Sequence, residues 1–136
     1  MSTQLSQRQK LLLYLISVAK EIENLYRLHL LTLLLAKRGI DLGYRFLDTG
    51  EAVYSPELHR DLKQLIELGL VEEVLVLSRK YHELYDKVYR VTQKGAKLCE
   101  EVSREISEDV RKKLSEEVSK FKELEIVDLI ELVRSG

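Results

Sequence analysis

The step Val53-Tyr54-Ser55-Pro56-Glu57-Leu58 constrains this chain more than any other stretch. Serine followed by proline marks a helix start. The Ser55 hydroxyl can accept from first-turn amides, and Pro56 lacks the amide that would be orphaned there. Leu58, Leu62, Leu65, Ile66 and Leu68 then form one apolar stripe of a helix over 55–68. Gly69 stops it. Val71 to Leu77 and Lys87 to Val91 alternate and should pair as strands. Between them the charged loop Ser78 to Asp86 carries Arg79, Lys80, Tyr81, His82 and Tyr85. Thr92 caps a further helix opened by Gln93-Lys94-Gly95.

Helices are expected before and after this unit. Gln7 to about Ala19 places Leu11, Leu12, Leu15, Ile16 and Ala19 on one broad face. Asn24 can cap a second helix to about Arg38, with Leu25, Leu28, Leu31 and Leu35 inward and Gly39 as the stop. Neither Gly nor Pro separates the two, so one long bent helix fits equally well. Leu42, Tyr44 and Phe46 alternate with Gly43 and Arg45 as in a short strand, and Asp48-Thr49-Gly50 reads as a turn. From Ala96 to Ser135 the chain has no Pro or Gly and is expected to be nearly all helix, with a joint near Ser107. The fold class that follows is mainly α with a small β wing. It is a winged helix-turn-helix core over 1–97 with a C-terminal helical tail over 98–136.

Charge and cysteine usage narrow the function. The formal net charge of the 136 residues is −1, which gives no global basic field to draw nucleic acid. Residues 1–97 nevertheless hold 15 Lys/Arg against 12 Asp/Glu, and the tail holds 7 against 11. A single cysteine, Cys99, excludes an internal disulfide and reads as a packed small residue. The three histidines, His29, His59 and His82, lack metal-ligand spacing, so no metal is expected. No nucleophile elbow or phosphate loop occurs, so neither an enzyme nor a cofactor is expected. Ser2 to Lys10 is polar, and the apolar runs are about half a membrane span, which predicts a cytoplasmic protein. Charged residues at 33% with few thermolabile ones fit a thermophile.

Several segments resemble a family of phage-associated winged-helix proteins related to the Panacea antitoxin domain. They are Leu25-Tyr26-Arg27-Leu28-His29-Leu30-Leu31, Gly39 to Phe46, Tyr54-Ser55-Pro56-Glu57-Leu58, Asp61-Leu62, Leu68-Gly69-Leu70 and Val91-Thr92-Gln93-Lys94-Gly95. The resemblance spans about 25–97. It departs where the family's Lys-Leu core stands as Leu30-Leu31, and where its Gly-Pro stands as Ala52-Val53. It implies an interaction or regulatory domain.

Two surfaces are candidate sites. A DNA-binding winged helix would set His59, Arg60, Lys63 and Gln64 in the major groove, with Gln64 able to read adenine. Its wing would bring Arg79, Lys80, His82 and Lys87 to phosphates. Glu57, Asp61 and Glu67 dilute the basic side of the helix. In the tail, Val110, Leu114, Val118 and Phe121, continued by Ile126, Leu129 and Ile130, form an apolar stripe expected to pair two chains. The leading function is a dimeric transcriptional regulator binding double-stranded DNA. The alternative is an antitoxin-like or phage-associated adaptor gripping a protein partner. A third class, a ligand sensor built on Tyr44, Phe46 and Tyr54, is weaker because those aromatics more simply fill the core.

Overall fold

A computed structural model describes residues 5–50, 52–77 and 85–135. Helix α1, Gln7–Ala19, starts at Ser6 with a reciprocal capping box. The Ser6 hydroxyl accepts from the Gln9 amide, and the Gln9 side chain accepts from the Ser6 amide. The chain then resolves the choice between one bent helix and two. Strand β1, Glu21–Glu23, separates α1 from α2, Leu25–Lys37. Both junctions use positive φ without glycine, at Lys20 (70°) and Asn24 (78°). Asn24 tolerates this better than most residues. Its side chain accepts from the Tyr26 amide at 2.7 Å, and its own amide donates to the Lys87 carbonyl at 2.8 Å.

The segment expected as a strand around Leu42–Phe46 is irregular. Its alternating burial is real, with Leu42 and Tyr44 inward, but among the described residues no strand pairs with it. A two-stranded ribbon follows, β2 (Leu47–Asp48) with β3 (Val53–Tyr54), and leads into α3, Pro56–Glu67. Strands β4, Val71–Leu77, and β5, Tyr85–Val91, form the hairpin, and β1 adds to the far side of β5. Helix α4, Gln93–Glu105, is capped by Thr92 and packs against α1 and the end of β5. A Cβ at Gly95 would sit 2.0 Å from the Leu70 carbonyl oxygen, so only glycine fits.

Helix α5, Glu108–Phe121, starts at Ser107, and α6 covers Ile126–Ser135. Where these go is decided by α2, which is apolar nearly all round. A helix of that kind must be covered on every side. Leu28, Leu31 and Leu35 face the main core, which includes Leu12, Leu15, Ile16, Leu58, Leu62 and Leu65. Leu30 and Leu34 face the other way and form a second cluster with Leu129 and Val133 of α6. Leu114 and Val118 of α5 enter the main core. Arg38 pairs with Glu117 at 2.6 Å and lies over the Phe121 ring. Arg27 donates to the carbonyls of Lys122 and Leu124, tying α2 to the α5–α6 joint.

The expected pairing stripe is therefore corrected for Leu114, Val118 and Leu129, which are 0%, 1% and 0% exposed within one chain. Phe121, Ile126 and Ile130 are half-buried against the same clusters, and Val110 is exposed. Apart from Val110, the stripe is buried or half-buried against the second apolar face of α2 and the main core of the same chain.

Candidate nucleic-acid interface

Helix α3 is held from both ends of the chain segment that precedes it. The Ser55 hydroxyl accepts from the Leu58 amide at 3.2 Å, and the Ser55 amide donates to Nδ1 of His29 at 3.0 Å. His29 is buried edge-on to the Phe46 ring. Burial, with a smaller push from the charge of His59, lowers its pKa to about 4. The neutral ring is the form that can accept at Nδ1.

A polar cluster fixes the other side of α3. Asp61, 4% exposed, accepts from Arg8 Nε at 2.9 Å, from the Tyr44 hydroxyl at 2.9 Å and from Gln9 Nε2 at 3.3 Å. Arg8 also donates to Glu57 at 3.0 Å and lies 4.9 Å over the Tyr44 ring. Glu57 in turn accepts from the Arg45 amide, and that bond, with Arg8, lowers its pKa. Burial first, and then Asp61, raise the Tyr44 pKa. One arginine on α1 thus pairs with two of the three acids expected to dilute the basic side of α3, halving their combined charge, and one of the two is buried.

What faces outward is a stripe of Arg60, Lys63, Gln64 and Glu67, with His59 beside it. The wing adjoins the His59 and Lys63 edge of this helix. Residues facing each other across an antiparallel pair share a face. The register therefore puts Glu73, Leu75, Leu77, Tyr85, Lys87 and Tyr89 on one side of the hairpin. Glu73 and Tyr89 line a hollow of about 160 Å3 with His59, Leu62 and Lys63 of α3, so this side of the wing adjoins the α3 surface. Lys87 is exposed, its ammonium 3.9 Å from Glu73. Arg79, Lys80 and His82 lie outside the described residues.

Sequence reasoning missed two features. Arg8 and Gln9 belong to the α3 surface although they are about fifty residues away, and no local pattern signals that. The wing face is also apolar: Leu75, Leu77 and Tyr85 are 60%, 78% and 57% exposed. The run Val74-Leu75-Val76-Leu77, unbroken by a polar residue, was the available signal. The three aromatics proposed for a ligand site do not act together. Tyr44 serves Asp61, Phe46 meets His29, and Tyr54 is exposed opposite Leu47. Among the described residues no cluster of three metal-ligating side chains occurs. No helix among them is long and apolar enough to cross a membrane.

With the separate β2–β3 ribbon set between α2 and α3, the order helix, strand, helix, helix, strand, strand, and the sheet arranged β1-β5-β4, define a winged helix extended by C-terminal helices. No protein-family profile matches the sequence, so the resemblance to the Panacea-related family gains no support there. No curated protein matches it either. Among solved structures, the chain is similar to a MarR point mutant from E. coli, crystallised in complex with operator DNA. The TM-score is 0.43 and the identity 20%, over 97% of this chain and 75% of that one. The winged-helix assignment stands on the topology above.

Proposed function

We propose that this protein is a winged-helix transcriptional regulator that binds double-stranded DNA in the cytoplasm through α3, with the wing on the adjoining backbone. The observation that carries the proposal is that Arg8 engages two of the acids of α3. Asp61 is buried and Glu57 is paired with Arg8, which leaves Arg60, Lys63 and Gln64 outward with Glu67 as the acid of that stripe. A helix so anchored on one side and basic on the other fits the major groove. The homodimer expected from the tail belongs to the proposal on the outer faces of α5 and α6, where Val110, Val127 and Leu132 are exposed.

The test is duplex binding against salt. Phosphate contacts from Arg60, Lys63 and Lys87 alone would give a slope of log K on log salt of roughly −2.7. Arg60→Ala with Lys63→Ala should flatten it by about 2 and weaken binding to all sequences. An unchanged slope removes α3 from the contact surface.

A second reading is favoured by the wing. Exposed Leu75, Leu77 and Tyr85 suit a protein partner better than phosphate. A partner held there is lost on Leu77→Ser with Tyr85→Ser and is indifferent to Arg60→Ala with Lys63→Ala.

A further inference from the structure

On the DNA-binding reading above, we infer that Gln9 holds the side-chain carbonyl of Gln64 inward, so that Gln64 turns its two N–H donors to the groove and selects guanine over adenine. The polarity follows from partners that cannot be reversed. A backbone amide can only donate, so the Gln9 atom 3.0 Å from the Ser6 nitrogen is its oxygen. The Gln9 nitrogen therefore faces the other way, toward Asp61 Oδ1 at 3.3 Å and Gln64 at 2.8 Å. Asp61 agrees with this, since a carboxylate paired with Arg8 accepts. A donor at Gln9 requires an acceptor at Gln64, which is Gln64 Oε1.

Gln9 is 7% exposed and bonded at both ends of its amide, so it cannot turn over without breaking the α1 capping box. Gln64 is exposed, and its nitrogen lies on the side of the amide away from Gln9. Bidentate reading of adenine needs the glutamine oxygen to accept from N6 while its nitrogen donates to N7. Here that oxygen is engaged behind the reading face. Guanine presents O6 and N7, both acceptors, to the outward N–H donors of the amide. The expectation that Gln64 reads adenine is thereby replaced, and Gln9 is a positioning residue for base choice, not a contact.

Two measurements test this. In the DNA-free wild-type chain, proton exchange of the side-chain amides should be slower at Gln9 than at Gln64, and any other order overturns the polarity. Randomised duplexes should then be selected with wild type, Gln64→Ala and Gln9→Met. Wild type should enrich guanine over adenine by about tenfold at one position. Gln64→Ala should flatten that position alone, and Gln9→Met should admit adenine there. Adenine enriched by wild type at the Gln64-dependent position, or a preference unmoved by Gln9→Met in a chain with wild-type circular dichroism, overturns the inference while DNA binding stands. Absence of salt-dependent duplex binding by any variant overturns the DNA reading and this inference together.

Discussion

Asp61→Ala should cost the fold about 2–4 kcal/mol. The magnitude follows from what the carboxylate leaves behind. Three donors converge on it: Arg8, Tyr44 and Gln9. Arg8 is about a third exposed and keeps Glu57, so its charge recovers solvent and counts for little. Gln9 keeps Gln64. The Tyr44 hydroxyl is buried and is left with a long 3.4 Å approach to the Arg8 carbonyl. A buried donor stranded this way costs about 1–3 kcal/mol, and the lost charged bonds add about 1 more. In urea, with a slope near 2 kcal/mol per molar for a chain this size, the midpoint should fall by about 1–2 M. Tyr44→Phe should cost less by itself. The double variant should fall short of the sum by at least about 0.5 kcal/mol, since both changes remove the same bond. A midpoint within about 0.2 M of wild type, or strict additivity, would refute the view that Asp61 organises the α3 surface.

Other expected outcomes rest on separate parts of the structure. The folded pKa of His29 is lowered to about 4 from 6.5, so the unfolded chain binds the extra proton between those values. Stability should therefore fall as pH drops from 6.5 to 4, by at most about 1.4 kcal/mol per pH unit from this group. His29→Gln should show a shallower decline in urea melts across that window, and a parallel decline would exclude His29 as its source. Leu114→Glu with Val118→Glu puts two charges into the core of one chain and should unfold it. A folded protein of half the mass by light scattering would instead restore the tail as a seam between chains.

The elements that could be read from sequence are those whose signals are local. Ser55-Pro56, Asn24, Thr92 and Ser107 each cap a helix through their own side chain, and strand β4 was expected with its observed bounds. Strand β1 was not legible, because three residues with only Ile22 buried carry no period. It exists because β5 offers an edge almost seventy residues later. The tail stripe announced burial but not its partner. Its answer lay in the doubled apolar faces of α2, where Leu30 and Leu34 had no covering in the winged core. The acids of α3 misled for a related reason. A carboxylate at 57 or 61 reads as surface charge until Arg8 is brought beside it by tertiary packing.

The central claim is that α3 meets DNA, and amide shifts on titration with a short mixed-sequence duplex at low salt test it most directly. The account predicts saturable, salt-sensitive shifts at His59, Arg60, Lys63, Gln64 and Lys87, with Val127 and Leu132 of α6 unmoved. Shifts confined to α5 and α6, or no shifts at any duplex concentration, would contradict it.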